Sequence, residues 1–353
     1  MAHDTRRQFL RTIGVAAGAG LAGCTGGGGG GGGTQTTTAG GTTMGEATTS
    51  TSLTPITVVA PEGTINYPLW EAGVAQGFFE DEGLDVNSTY KPFDAQAQSV
   101  TTHAVDTSLV STLPYIQNVV KGEKLVSFGF NAGLLSVNAL YVLASSDYQT
   151  IEDLKGKRIG VWSFGSSTVQ AFEALVAEKT GLQLRKDFQT TTAAPPALVG
   201  LLKDGKVDAV IDVSGLTIAM EAAPDTFRNI AQLNNLWIEQ SGNPLPLTSW
   251  WCYADWYDSN KDVAAALLRG AEKSVGYWRD NTDAILKQYG GPANVDNQAK
   301  IDVVSNWAQQ GQVFQQSTTQ DFLDSTWKFL TLMQKHGFLD QVPDQGSVMR
   351  NPL

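Results

Sequence analysis

The chain has 353 residues, of which 42% are hydrophobic and 17% charged; this composition excludes disorder over the whole length and leaves room for two domains of ordinary size. A net charge of -11 and a pI near 4.7 exclude a phosphate-backbone partner, so no nucleic acid is expected. Three basic and two acidic residues precede Pro55, so the remainder, with 21 basic and 33 acidic residues, carries about -12. That surplus fits a secreted halophilic protein and equally an ordinary acidic one.

The chain opens with Arg6 and Arg7 before Phe9-Leu10, continues as a short apolar and small-residue run from Ile13 to Ala22, and reaches Leu21-Ala22-Gly23-Cys24. Positive n-region, h-region of about ten residues and small residues at the cut are the layout of a signal peptide, too short for a bilayer that needs about twenty. The paired arginines resemble a twin-arginine export signal, and the last four residues resemble a lipobox whose Cys24 becomes lipidated. Residues 1–24 are thus read as leader, and the Gly/Thr-rich stretch 25–54, with glycine from Gly26 to Gly33, as a flexible tether of roughly 30 Å root-mean-square span. These readings place the chain on the extracellular face of the cell membrane, held by a lipid. Only Cys252 remains beyond the anchor, so no intramolecular disulfide is available to the exported part.

From Ile56 short β-branched runs alternate with amphipathic helical stretches, the pattern of sheets covered by helices. Strands are predicted near Ile56–Ala60, Leu84–Asn87, Thr107–Val110 and Lys124–Phe130, and a second series near Arg158–Trp162, Phe188–Thr191, Val207–Ile211 and Phe227–Ile230. Helices fall near Thr168–Thr180, Pro196–Asp204 and Gly215–Ala222. Two series imply two sheets, and the strand-like stretches Leu140–Ala144 and Thr248–Tyr253 are expected to cross between them as a hinge. The tail beyond Asn260 is helical: Ser259 and Asp262 have the spacing of a capping pair, and Val263, Leu267, Leu268, Ala271, Val275 and Trp278 recur at helical intervals. Those helices are expected on the first lobe.

Three stretches carry a resemblance. Ala75-Gln76-Gly77-Phe78-Phe79-Glu80-Asp81-Glu82-Gly83-Leu84-Asp85-Val86, Ile151-Glu152-Asp153-Leu154-Lys155-Gly156-Lys157-Arg158-Ile159-Gly160-Val161 and Leu202-Lys203-Asp204-Gly205-Lys206-Val207-Asp208-Ala209-Val210 resemble, in order, signatures of type II periplasmic-binding proteins of the nitrate, sulfonate and taurine importer class. The resemblance implies an α/β, two-lobed fold, each lobe a mainly parallel sheet covered by helices with a two-strand hinge. It divides the chain into 55–140 plus 253–353 as lobe 1 and 141–252, hinge strands included, as lobe 2. It also implies a monomeric solute-binding protein, not an enzyme, that hands a small molecule to the permease and ATPase of an ABC transporter without cofactor or metal. The motif residues themselves read as turn glycines and core phenylalanines, not as ligand contacts.

Ligands of such sheets bind beyond the carboxyl ends of the strands. The loops there hold Asn66 and Tyr67, then Ser111, Thr112 and Tyr115, then Trp162, Ser166, Ser167 and Thr168, then Asp212; Trp250 and Trp251 lie on the return strand. Gly165 to Thr168 precede a helix whose free amides and positive dipole end suit an anion, with plain capping by Ser166 or Ser167 as the alternative. The aromatics suggest a flat or apolar portion, and the loops contain no arginine or lysine, so an organic anion or heteroaromatic metabolite is favoured over a doubly charged one. Two alternatives stay open: an enzyme on the same scaffold, desulfinase-like through Cys252 or pyrimidine-precursor synthase-like, and a sensory ligand-binding lipoprotein. His103 and His336 have no metal-ligand spacing.

Overall fold

The computed structural model describes residues 52–131, 138–213, 215–314, 316–317 and 319–353; the leader with Cys24 and the tether through Thr51 lie outside the described residues. Strand β1 (Thr54–Pro61) leads through helix α1 (Asn66–Ala75) to β2 (Leu84–Lys91), and the two strands pair in parallel from Thr54 opposite Leu84 to Pro61 opposite Lys91. The return is made possible by Gly77 and Gly83, both left-handed at φ +75 and +81, a conformation that costs glycine nothing. Phe79, 1% exposed, plugs the space behind them, whereas Phe78 is half-buried with its ring edge-on to Tyr277.

Next come β3 (Thr107–Ser111), α2 (Thr112–Val120) and β4 (Leu125–Asn131), after which the chain enters β5 (Asn138–Leu143). The second series runs β6 (Arg158–Val161), α3 (Ser167–Thr180), β7 (Gln189–Thr192), α4 (Pro195–Lys203), β8 (Ala209–Val213), α5 (Gly215–Glu221) and β9 (Phe227–Gln232). Helix α6 (Leu233–Ser241) returns it to β10 (Thr248–Tyr253), followed by α7 (Lys261–Tyr289), α8 (Gln298–Gln309), β11 (Gln316–Ser317) and α9 (Gln320–Lys335). Among the described residues the strands form a sheet of order β7-β6-β8-β5-β9, a sheet of order β11-β4-β10-β3, and the β1-β2 pair. The Ser108 hydroxyl, donating to the Val59 carbonyl at 2.8 Å, ties that pair to β3.

The mainly parallel character expected of each sheet is diluted, because β5 lies antiparallel to both β8 and β9 and β10 antiparallel to both β3 and β4. Each crossing strand therefore inserts inside one sheet, and β10, expected with the second portion of the chain, is a strand of the first. The connections between the sheets run from β4 to β5, where 132–137 lie outside the described residues, and from α6 to β10. On this side of the molecule one apolar cluster runs through both lobes, joining Leu113, Tyr115 and Trp251 to Val142, Val161, Phe172 and Trp237.

The helical tail differs from expectation in two ways. Helix α7 starts from Asn260 without a side-chain cap, and Ser259 instead donates to the Asp255 carbonyl at 3.0 Å, closing the preceding turn. Helix α9 packs on the second lobe: Phe329 stands edge-on to Trp237 at 5.5 Å, the Trp237 indole N–H donates to the Ser325 hydroxyl at 3.1 Å, and Lys335 pairs with Glu178 at 2.7 Å. The chain then returns, Met349 bridging to Ser127 of β4 in parallel and the Arg350 amide donating to the Ser127 carbonyl at 2.8 Å. Among the described residues no helix is long and apolar enough to cross a membrane.

Candidate functional site: the cleft between the lobes

A cleft is defined by where the carboxyl ends of the strands meet. The turn after β1 places the Gly63 carbonyl, and the turn after α7 the Ala293 carbonyl, against Gly215 at the start of α5: a methyl group on Gly215 would stand 3.4 and 3.2 Å from them. The loops following β1 and β8 therefore face each other at backbone contact, and β6, parallel to β8, ends on the same edge of its sheet.

On the second-lobe edge, Ser166 takes the N-cap position of α3 at φ -69, ψ 131, with no side-chain cap hydrogen bond. The Ser163 hydroxyl accepts the Gly165 amide at 3.1 Å and the Ser163 carbonyl accepts the Ser166 amide at 3.2 Å, so the loop is shaped from within. The first bond into the helix runs from the Gln170 amide to the Ser166 carbonyl at 2.9 Å, which leaves the amides of Ser167, Thr168 and Val169 without a carbonyl one turn back. The capping alternative for Ser166 and Ser167 is not realised, and three half-buried hydroxyl residues surround a positive helix end. Trp162, also half-buried, packs against both apolar clusters of this lobe.

The first-lobe edge is more fully satisfied. Asn66, 6% exposed, donates to the Thr64 hydroxyl at 3.2 Å, which donates to the Pro61 carbonyl at 2.9 Å. Tyr67 lies 4.5 Å from Tyr90, whose hydroxyl donates to Glu71 at 2.9 Å; burial, then the Glu71 charge, pushes the Tyr90 pKa up. Ser111 caps α2 by position only, but the Thr112 amide donates to the Leu247 carbonyl at 2.9 Å and its hydroxyl meets that of Ser249 at 3.1 Å. Of the two helix starts, α3 is the one with its hydrogen-bonding capacity unspent.

Three candidates need correction. Trp250 and Trp251 are 0% exposed and Tyr115 1%; Trp250 packs on Trp70 at 5.6 Å, and Trp251 on Tyr115 at 5.4 Å. In a strand buried on both faces neither side of the alternation reaches a crevice, so these rings build the core. Asp212 is opposite Ala139 near the end of β8, at the cleft edge. The sequence reading missed Gly63 and Gly215, whose meeting is non-local, and Arg185, whose guanidinium covers the Phe164 ring at 4.3 Å while pairing with Glu173 at 3.1 Å; 21 residues separate this cation from the loop it covers.

Cys252 is 0% exposed, and burial, then the Asp255 charge, pushes its thiol pKa up, the reverse of what a nucleophile needs. His103 stacks on Tyr253 at 4.6 Å, and His336 meets Glu178 at 3.1 Å. No cluster of His, Cys, Asp and Glu among the described residues could hold a metal ion.

Residues 72–285 match the NMT1/THI5-like family. The chain belongs to that family. No curated protein sequence matches it. Solved structures similar to this NMT1/THI5-like chain include the periplasmic aliphatic sulphonate-binding protein SsuA of Escherichia coli, at 16% identity over 85% of this chain and 92% of that one, TM-score 0.67. A sulfonate-binding SsuA of an ABC transporter from Methylobacillus flagellatus aligns at 16% identity over the same shares, TM-score 0.65. The desulfurization enzyme DSZB aligns at 15% identity over 84% and 96%, TM-score 0.59. The chain thus has the periplasmic-binding-protein fold.

Proposed function

We propose that this NMT1/THI5-like protein is the solute-binding subunit of an ABC importer, working outside the cytoplasm on a lipid tether at Cys24, and that it closes on a small organic anion of the sulfonate class as a monomer. The observation that carries the reading is the start of α3: uncapped, ringed by Ser166, Ser167 and Thr168, and following β6, which runs parallel to β8. A sulfonate or carboxylate offers oxygens to amides and hydroxyls there and needs no full cation. Ser111, Asn66 and Tyr67 stand on the facing edge, Asp212 and Trp162 beside the anion loop. In this reading the lobe built on the β11-β4-β10-β3 sheet and the β1-β2 pair and the lobe built on the β7-β6-β8-β5-β9 sheet turn relative to one another, and the closed form is offered to the permease.

Support comes from the family and from fold neighbours whose names are those of sulfonate-binding proteins. The neighbour DSZB bears the name of an enzyme, but the buried, proton-retaining thiol of Cys252 speaks against thiol chemistry here. Native mass spectrometry of the detergent-extracted full chain tests both parts of the proposal: the protein mass carries an acyl adduct at Cys24, and short alkanesulfonates add their mass at micromolar concentration. In a calorimetric titration with the same sulfonates, Ser166→Ala with Ser167→Ala weakens affinity at least tenfold, about 1.4 kcal/mol, at unchanged melting temperature. Equal affinity in the double variant would remove the anion from α3.

A further inference from the structure

The contact across the cleft is itself a built feature. Ile218 of α5 is 0% exposed, yet its apolar cluster consists otherwise of first-lobe residues, among them Ile65, Trp278, Ala293, Ile301 and Phe314. Helix α5 hangs from β8 and β9 of the second lobe and lays this one side chain into a pocket between α1, α7 and α8 of the first. One turn earlier, Gly215 brings its backbone to the Gly63 and Ala293 carbonyls, and Asn294 stands 3.7 Å from where its methyl would be. Gly215 has no positive φ, so what this position requires is space, not a special torsion. Between them, Thr217 is 0% exposed.

We propose that Gly215 and Ile218 are positioning residues for solute capture: together they form a seat by which α5 docks on the first lobe, and this seat sets the closed separation and the open-to-closed ratio. Gly215 fixes how near the two edges come, and Ile218 supplies the apolar contact that is lost on opening. A solute held at α3 then inherits a closed form already stabilised by protein–protein contact, and its dissociation is governed by release of the seat. The inference rests on the two-lobed capture reading above, but its test needs no solute, so a wrong solute class and a wrong seat give different results.

The measurement is the distance between spin labels on Lys206→Cys in the second lobe and Asp280→Cys in the first, both exposed, in the full chain carrying Cys24→Ser, with buried Cys252 left native. The parent is expected to show a short-distance population. Gly215→Leu, which wedges the seam, and Ile218→Ser, which empties the pocket, each raise the ratio of long to short distances at least tenfold while cooperative melting is kept. Gly215→Ala, a milder wedge available if the larger change impairs folding, produces a smaller shift in the same direction. Distance distributions identical to the parent in the variants that fold would overturn the proposal.

Discussion

Packed among Val126, Phe128, Trp250 and Leu268, the thiol of Cys252 is a small hydrophobic side chain whose ionisation is opposed first by burial and then by Asp255. In a Cys24→Ser chain, an aromatic disulfide reagent is therefore expected to label Cys252 only as fast as the protein unfolds, and Cys252→Ala to cost on the order of 1 kcal/mol, the scale of one buried methylene, with solute affinity unchanged. Rapid labelling of the native chain would reopen the enzymatic reading. Phe314 makes a related point at the cleft: at φ +52 and 1% exposed it holds a left-handed backbone worth about 1–3 kcal/mol of strain, kept in place by its edge-on ring contact with Trp278 at 5.2 Å. Single residues of this kind were poorly legible in the sequence. Trp250 and Trp251 looked like pocket walls because aromatic content says nothing about which face of a doubly covered strand is open. That a helix begins at Ser166 and Ser167, by contrast, was legible, because a helix start is a local feature.

Elements were read more easily than residues. The ten strands predicted from β-branched runs are all present, and Thr248–Tyr253 coincides with β10, since alternation and flanking turns are encoded within a few residues. What escaped was partnership: that β10 runs between β4 and β3, that the two-residue β11 edges the same sheet, and that α9 serves the second lobe, all depend on contacts distant in sequence. The packing of α1 on α7 shows how close such contacts are. Gly270 lies beneath the Phe79 ring, where an added methyl would meet Cε1 at 2.8 Å, and Gly73 leaves no room for one beside the Ser274 hydroxyl. Gly270→Ala is accordingly expected to overpack this seam and cost about 1–3 kcal/mol, read as a lower midpoint in urea with no change in slope. An unchanged midpoint would mean that Phe79 has an alternative rotamer to retreat into.

At the scale of the molecule the acidic surplus is met by a few paired carboxylates. Asp208 is held low by its hydrogen bonds from Arg158, Glu82 by Lys273 and then Arg269, and Glu178 by Lys335 and then His336. Because their folded pKa values lie below the unfolded ones, the stability they contribute is present above the ordinary carboxylate range and is lost as pH falls through the depressed values. Melting temperature is thus expected to be flat near neutrality and to fall below about pH 4. Asp208→Asn should lower it at pH 7 by a few degrees, given roughly 1 kcal/mol once screening at the 41% exposed Arg158 side chain is allowed for, and should flatten the acid slope. A variant with the parent's acid slope would remove Asp208 from the account.

Strand β4 has its outer edge covered late: by Gln316 and Ser317, then by Met349. The strands of the second lobe are written as one uninterrupted stretch, while those of the first are begun before it and finished after it. During synthesis, then, the inner lobe has its whole complement of strands when the outer one still shows an uncovered row of amides and carbonyls, a template for unwanted pairing. The protein is committed to completing its first lobe after its second, once the segment from Gln316 to Met349 has been made.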